Sequence, residues 1–226
     1  LHDALPILAG GKGTRMKATC PKVMCNVLFE PMISYVVDAV KEAGAEDICV
    51  ITGYKHELLE KYLAEKDEKI ETVLQEPQLG TGHAVMQAQN FIDKHLDDDI
   101  IILNGDGPLI DAETINKAFD YHKNNDNSIT LISAIVDDTN GIGHIQRDEN
   151  GKLLRIIEHK DANDEEKKIN ESNAGFYWFN GRDLSYALSK ITNNNAQNEY
   201  YITDSLEILI SAGKWTMKHK AALTEA

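Results

Sequence analysis

Short apolar segments alternate with helical segments along the first half of the chain, and this alternation limits the fold more than any other feature. Residues 48–52 and 100–103 contain no charged side chain, which is typical of strands buried on both faces of a parallel sheet. One helix is predicted from Pro31 to just before Gly44, and another over 57–65. Strands joined by helices predict a mostly parallel sheet with helices on both faces, which is a three-layer α/β fold.

The second half of the chain is richer in predicted strands. Asn150-Gly151 is a strong hairpin signal between strands at 144–147 and 153–159. The other predicted elements are strands at 70–74, 129–136 and 173–179, and helices at 84–92, 111–122, 182–190 and 203–212. Because there is no internal repeat or linker, residues 1–226 are expected to form one domain, a Rossmann-like sheet with a small β-rich extension.

The charge distribution points to an anion-binding segment in an acidic protein. The net charge of −14 argues against nucleic acid as a partner. Between Asp3 and Glu30, however, no acidic residue occurs. The cations of that stretch are Lys12, Arg15, Lys17 and Lys22. A glycine-rich stretch without acids and with added cations is expected to hold an anion, although a basic surface loop is the simpler alternative.

Composition also limits where the protein works. No apolar run reaches the roughly 20 residues that a membrane helix needs, and residues 1–7 lack the pattern of a signal peptide. The three cysteines are too few and too scattered for a disulfide framework, and we expect reduced structural thiols rather than zinc ligands. They are Cys20, Cys25 and Cys49. A cytoplasmic protein without a membrane partner is therefore predicted.

A glycine-rich segment, LAGGKGTRM at 8–16, precedes Pro21-Lys22. Its glycines allow backbone N–H groups to approach a phosphate or a base closely. Arg15 can contact two phosphate oxygens, and Lys22 adds a further positive charge. The spacing fits neither the P-loop nor the dinucleotide fingerprint, because Met16 stands where that fingerprint needs its third glycine. Kinase, GTPase and dehydrogenase functions are therefore disfavoured.

Two further loops follow predicted strands. Gln75 precedes Leu79-Gly80-Thr81-Gly82, and its amide suits the edge of a pyrimidine, although a plain strand-to-helix turn fits about equally well. Asp106 follows the apolar strand at 100–103, where a carboxylate could bind Mg²⁺ or only shape a turn. Ligands of open parallel sheets lie beyond the carboxyl ends of the strands. All three loops are therefore expected to converge, which favours the ligand-binding alternatives.

Together with these loops, three longer motifs carry a resemblance to a known family. They are LQEPQLGTGHA at 74–84, IIEHKDA at 156–162 and LSKITNNNAQNEYYITD at 188–204. The chain resembles the sugar nucleotidylyltransferase family over about 7–218, and most closely those members that act on N-acetylglucosamine-1-phosphate. The resemblance implies Mg²⁺-dependent transfer of a uridylyl group from UTP to that sugar phosphate. The products would be pyrophosphate and UDP-N-acetylglucosamine, a cell-wall precursor.

The resemblance also implies a role for each matching position. The residues expected to bind the nucleotide are Ala9, Gly10, Gly11, Gln75, Gly80, Thr81, Asn104 and Gly105. Those expected to act in catalysis are Arg15, Lys22 and Asp106, of which Asp106 is also the metal ligand. Those expected to bind the acetylated amino sugar are Gly143, Glu158 and Asn173. The attacking sugar phosphate is already ionised, so no general base is required, and His83 and His159 are expected to be structural.

The sequence departs from the family pattern at a few positions. Gly10, Asn104 and Gly107 stand where the family usually has alanine, an aromatic residue and a β-branched residue. Pro6 stands where the first strand should supply a ladder donor.

The family's second metal ligand, an asparagine, would lie beyond Ala226. A fragment shortened at both ends, with a non-native leader and no β-helix acetyltransferase domain, is therefore expected. Two alternative functions are a transferase for another nucleotide or sugar and a non-catalytic nucleotide-sugar binder. The full-length enzyme could also form a homo-oligomer.

Overall fold

The computed structural model describes residues 4–13, 16 and 19–214, and its largest element is an eight-stranded sheet. The strands of this sheet are β1 Ala4–Leu8, β4 Asp47–Thr52, β5 Glu71–Leu74, β6 Asp99–Asn104, β7 Ile129–Ile135, β8 His144–Arg147, β9 Leu153–Ile157 and β10 Glu171–Asn180. Two short strands, β2 Asn26–Val27 and β3 Glu30–Pro31, form a separate hairpin. The helices are α1 Met32–Glu42, α2 His56–Lys66, α3 Thr81–Gln87, α4 Gln89–Ile92, α5 Ala112–Asn124, α6 Gly181–Leu188 and α7 Asp204–Ser211.

The sheet has a parallel part and an antiparallel part. Strands β5, β4, β1 and β6 lie side by side and are parallel. The long strand β10 runs antiparallel to β6 and also pairs with β7 and β8, and β8 pairs with β9. The predicted α/β fold is confirmed, and the β-rich extension continues the same sheet.

Helices cover both faces of the sheet, as the apolar strands predict. Successive residues of β6 point alternately into two hydrophobic clusters. Ile100 and Ile102 pack with α3, α4, α6 and α7, whereas Ile101 and Leu103 pack with α1, α2 and α5. This three-layer arrangement confirms the sequence prediction. Within the described residues, no helix is both long enough and apolar enough to span a bilayer.

The first strand corrects one expectation. Pro6 lies inside β1, between β4 and β6 at the centre of the sheet, and its Cα is in register with Cys49 of β4. The register with β6 includes Ala4 and Ile7 but not the two residues between them. Proline has no N–H to donate. Because the pairing of β1 with β6 is interrupted at Pro6, β1 can remain in the sheet without that donor.

Two local details also differ from the prediction. The helix predicted over 84–92 begins earlier, at Thr81, and is divided at Ala88 into α3 and α4. The hairpin at Asn150-Gly151 has a five-residue loop over 148–152, in which Asp148 Oδ1 accepts hydrogen bonds from the backbone N–H of Asn150 and Lys152 at 2.9 and 2.8 Å.

Candidate functional site

A cavity of about 440 Å³ opens at the carboxyl ends of the parallel strands. Its lining residues are Leu8, Gly10, Gly11, Lys22, Val23, Gln75, Gln78, Gly80, Thr81, Ala84, Asn104, Asp106, Glu158, Glu199 and Tyr201. The three loops expected to converge all contribute to this list. The cavity therefore lies where the topology of an open parallel sheet places a ligand.

Lys22 and Asp106 contact each other on one side of the cavity. The Lys22 ammonium donates to Asp106 Oδ2, and both side chains remain about one-third exposed, at 39% and 31%. Asp106 follows the end of β6, whereas Lys22 begins a short 3-10 helix after the glycine loop. An ammonium and a carboxylate that are both partly exposed are thus placed where a charged ligand can reach either of them.

The glycine loop brings its backbone close to neighbouring chain segments. The Lys22 N–H donates to the Gly11 carbonyl oxygen at 3.3 Å. Gly13 has a φ of +62°, and a Cβ there would stand only 2.8 Å from Lys22 Cβ. Gln78 donates its amide to the Gly10 carbonyl oxygen. Glycine is needed at 13 both for its backbone conformation and for the close approach of Lys22.

Gln75 is buried beside the start of α3. Its Nε2 donates to the Gly80 carbonyl oxygen at 2.9 Å and lies 3.2 Å from His83 Nδ1. Its Oε1 faces the glycine loop, 3.1 Å from the point that a Cβ on Gly10 would occupy. Burial lowers the pKa of His83, which favours the neutral ring. The amide is thus fixed in one orientation, with its acceptor oxygen toward the cavity.

The loop before α3 is joined to the segment 199–202. Gly80 has a φ of +101°, and a Cβ there would stand 2.5 Å from the Tyr200 carbonyl oxygen. The Gly82 N–H donates to that oxygen at 2.8 Å, and Thr81 Oγ1 accepts from the Ile202 N–H at 3.1 Å. The loop at 79–82 and the segment 199–202 are therefore joined by hydrogen bonds along one side of the cavity.

Glu158 follows β9 and is half-buried on the antiparallel side of the cavity. Its Oε1 accepts a hydrogen bond from the Thr203 hydroxyl at 3.0 Å. Burial is the main cause of the raised pKa of Glu158. The Thr203 hydrogen bond lowers that pKa, whereas the negative charges of Asp161 and Glu199 raise it. A half-buried carboxylate with free acceptor capacity is suited to bind ligand hydroxyl or amide groups.

Gly143 lies just before β8 and contacts Asn173, which lies on β10. The Asn173 N–H donates to the Gly143 carbonyl oxygen at 2.8 Å, and the Asn173 amide donates to the Tyr177 hydroxyl at 2.5 Å. Gly175, with a φ of +77°, faces Asn104, because a Cβ there would lie 2.0 Å from Asn104 Nδ2. The bulge in β10 between 173 and 177 therefore adjoins the wall formed by Asn104.

The structure accounts for two departures from the family pattern. A Cβ at Gly107 would stand 2.7 Å from Phe176 Cζ, so a β-branched residue would clash with this ring. Asn104 likewise fills the space that the missing side chain of Gly175 leaves. Both substitutions are matched by residues of β10, which is the strand next to β6.

Nine of the predicted site residues line the cavity. They are Gly10, Gly11, Lys22, Gln75, Gly80, Thr81, Asn104, Asp106 and Glu158. Four others are not among the lining residues, namely Ala9, Gly105, Gly143 and Asn173. Of these, Ala9 is buried, and the Gly105 N–H donates to the Leu8 carbonyl oxygen at 2.9 Å. Arg15 lies outside the described residues.

Sequence reasoning missed four polar residues at the cavity. Gln78, Glu199 and Tyr201 line it, and Thr203 contacts Glu158. All four lie inside motifs that carried the family resemblance, at 74–84 and 188–204. Their position inside these motifs is the signal that could have found them, because the spacing of the four residues does not indicate their chemistry.

The two histidines expected to be structural make side-chain contacts within the fold. His83 lies between Gln75 and Gln87. His159 Nδ1 lies 3.1 Å from His144 Nε2, and His144 Nδ1 lies 3.0 Å from the Ile169 carbonyl oxygen. A carbonyl can only accept, so His144 donates from Nδ1 and accepts from His159.

The fold and the cavity define an α/β protein with a polar cavity between a glycine loop and a strand-end carboxylate. The chain belongs to the nucleotidyl transferase family, whose sequence signature matches residues 6–223. It is 44% identical over 207 residues to the bifunctional protein GlmU of Caldanaerobacter subterraneus, which covers 92% of this chain and 44% of that protein. GlmU of Fervidobacterium nodosum is 48% identical over 198 residues, which is 88% of this chain and 42% of that protein. The chain thus spans less than half the length of these relatives.

Solved structures share the fold. A UDP-glucose pyrophosphorylase complexed with UDP-glucose superposes with a TM-score of 0.78 and 22% identity, covering 94% of this chain and 88% of that one. A putative glucose-1-phosphate thymidylyltransferase from Bacillus anthracis superposes with a TM-score of 0.76 and 22% identity, covering 99% and 86%. At this level of identity, the comparison establishes the architecture alone.

Proposed function

We propose that this chain transfers a uridylyl group from UTP to N-acetylglucosamine-1-phosphate, releasing pyrophosphate and giving UDP-N-acetylglucosamine. The observation that carries the proposal is the contact between Lys22 and Asp106 at the meeting point of the glycine loop and β6. The family membership and the motifs shared with uridylyl-transferring members support the choice of reaction. The proposal includes a cytoplasmic location and one catalytic domain.

Asp106 is the residue that would hold Mg²⁺. Its carboxylate already contacts one cation, the Lys22 ammonium, which indicates that the position suits positive charge. Within the described part of the chain, no group of three His, Cys, Asp or Glu residues is arranged to hold a metal. Mg²⁺ usually keeps several waters and shares phosphate ligands, so one carboxylate plus the substrate fits its chemistry. The ion, when bound, would offset negative charge on the phosphates.

The remaining chemistry is positional. A sugar phosphate oxygen attacks the α-phosphorus in line, and pyrophosphate leaves from the opposite side. Two phosphates about 4 Å apart repel by several kcal/mol at intermediate dielectric. Lys22 offsets part of this repulsion, and Arg15 has the same role in the proposal. Gln75 would fix the base through its amide, while Glu158 and Asn173 would orient the sugar.

Release of pyrophosphate by the chain tests the proposal directly. We expect release with UTP and N-acetylglucosamine-1-phosphate in the presence of Mg²⁺, and none after the metal is chelated. Glucose-1-phosphate and the triphosphates of thymidine, guanosine, cytidine and adenosine serve as competing substrates. Faster turnover with one of these would assign a different transferase.

Binding and turnover are measured separately, because a chain could bind the nucleotide sugar without catalysing the transfer. Calorimetry with UTP and with UDP-N-acetylglucosamine reports binding alone. A chain that binds the nucleotide sugar but releases no pyrophosphate would be a non-catalytic binder. Failure to bind either nucleotide would reject the proposal.

A further inference from the structure

Two cysteine side chains, one on each side of Lys22 in the sequence, lie close together. Cys20 Sγ and Cys25 Sγ lie 3.7 Å apart, and both residues are half-buried free thiols. The third cysteine, Cys49, is fully buried in the sheet. The proposed reaction uses none of the three.

The turn between the two cysteines keeps them close. Residues 22–24 form a single 3-10 turn. The Met24 N–H donates to the Pro21 carbonyl oxygen at 2.9 Å, and the Cys25 N–H donates to the Lys22 carbonyl oxygen at 3.1 Å. Both thiols therefore lie at the ends of one short, hydrogen-bonded segment, with Lys22 between them.

We propose that Cys20 and Cys25 form a redox-sensitive pair, which small disulfides such as oxidised glutathione convert to an intramolecular disulfide that displaces Lys22 from Asp106. A disulfide requires the sulfurs to be about 2.0 Å apart, so the present 3.7 Å separation must shorten by about 1.7 Å. The ring that closes contains residues 20–25. The second half of this proposal rests on the proposed function.

The oxidation proceeds by thiol–disulfide exchange. One cysteine thiolate attacks a sulfur of the small disulfide, which breaks the S–S bond and releases one small thiol. The other cysteine thiolate then attacks the protein sulfur of the mixed disulfide and releases the second small thiol. The two cysteines lose two electrons, the small disulfide gains them, and the two cysteine protons end on the released thiols.

The pKa of the Cys25 thiol affects the rate of this exchange. Burial raises the pKa of the Cys25 thiol, the contact with Cys20 raises it further, and the nearby Lys22 ammonium opposes the rise. Because the thiolate is the attacking species, the disulfide is expected to form faster as the pH rises from 7 to 9.

Lys22 lies inside the ring that closes, so a shift of its backbone would strain the contacts that now position it. Its N–H is bonded to Gly11, its Cβ packs against Gly13, and its ammonium contacts Asp106. Displacement of a positioned group by about 1 Å can reduce turnover about 100-fold. We therefore expect the disulfide to weaken binding of Mg²⁺–UTP and to slow any turnover by at least about 10-fold.

The redox half is tested by mass spectrometry. The chain is equilibrated in glutathione buffers of increasing potential at pH 8, alkylated and digested. The expected product is one peptide pair, Cys20 joined to Cys25 with the loss of two hydrogens, while Cys49 stays alkylated as an internal standard. Separate glutathione adducts on Cys20 and Cys25, without a link, would overturn the pairing.

Nucleotide binding tests the second half. Calorimetry of Mg²⁺–UTP is compared for the reduced chain, the oxidised chain, and the oxidised chain treated with dithiothreitol. Cys20→Ser and Cys25→Ser are expected to bind like the reduced chain under every condition. Linked cysteines with unchanged affinity would overturn the effect on Lys22. A reduced chain that binds no UTP would instead count against the proposed function, and the linked peptide would still decide the redox pair.

Discussion

The two sides of the cavity are built differently, and the difference teaches how each recognises its ligand. On the parallel side, backbone groups and one exposed ion pair, Lys22–Asp106, face the cavity. On the antiparallel side, the half-buried carboxylate of Glu158 is held by the Thr203 hydroxyl. On the parallel side, Lys22 and Asp106 can exchange their mutual contact for contacts with a polyanion. On the antiparallel side, Glu158 is held in place, and burial raises its pKa. If the two sides act separately, a change on one side should leave binding at the other unaffected.

The largest effect is expected at the ion pair. Lys22→Ala should lower kcat by about 100- to 1,000-fold, by analogy with the loss of one preorganised charge-stabilising donor, which costs about 2.7–4 kcal/mol of barrier. Steady-state pyrophosphate release measures this change. Lys94→Ala is the matched control, because Lys94 contacts only Glu71 on the surface among the ion pairs that the structure describes. Near-normal turnover of Lys22→Ala would remove Lys22 from the mechanism.

The next effect concerns the antiparallel side. Glu158→Gln should raise KM for the sugar phosphate by about 10- to 100-fold, because hydrogen bonds to a charged group contribute about 1.5–3 kcal/mol. KM for UTP should change by less than about 3-fold if the two sides act separately. Substrate titrations measure both constants, with Glu149→Gln on the exposed β8–β9 loop as the control. An equal rise in both KM values would contradict the separation.

The parallel side was the easier one to predict from sequence. The carboxyl ends of parallel strands lie at one edge of the sheet, so Asp106 and the glycine loop could be placed at the same edge from the sequence. Glu158 and Thr203 lie far apart in sequence, and no periodic pattern relates a strand end to the segment before α7. Only the family resemblance indicated Glu158, and nothing indicated its contact with Thr203.

The central sheet shows a similar limit. The apolar run of β6 correctly predicted a strand buried on both faces, whereas Pro6 of β1 stands where a ladder donor was expected. A single missing donor costs little when the neighbouring strand also skips that position in its register. Sequence patterns report average strand chemistry, but they do not report which hydrogen bonds a particular register requires.

A smaller effect is expected at the base-reading position. Gln75→Leu should raise KM for UTP by about 3- to 10-fold, since a neutral hydrogen bond contributes about 0.5–1.5 kcal/mol. Preference for UTP over the thymidine and cytidine nucleotides should fall, while KM for the sugar phosphate stays within about 2-fold. Competition assays with mixed nucleotides measure the preference. An unchanged preference would mean that other groups read the base.

The smallest effect concerns the pH dependence of Asp204, whose charge interacts with that of Glu158. Burial raises the pKa of Asp204 to about 6, and the charges of Glu158, Glu207 and Asp161 add to the rise. A folded-state pKa above the unfolded value means that Asp204 stabilises the fold fully below about pH 4 and loses this contribution as the pH rises to about 6. Asp204→Asn should therefore raise Tm at pH 7.5 but not at pH 4.

Thermal unfolding monitored by circular dichroism at both pH values measures this difference. For a chain of this size, about 1 kcal/mol corresponds to about 2–4 °C in Tm, and we expect a gain within that range at pH 7.5. The exposed Asp164→Asn variant should shift Tm equally at both pH values. A pH-independent shift for Asp204→Asn would show that its carboxyl is as well solvated as a surface group. Burial would then raise the pKa of Glu158 but not that of its neighbour Asp204.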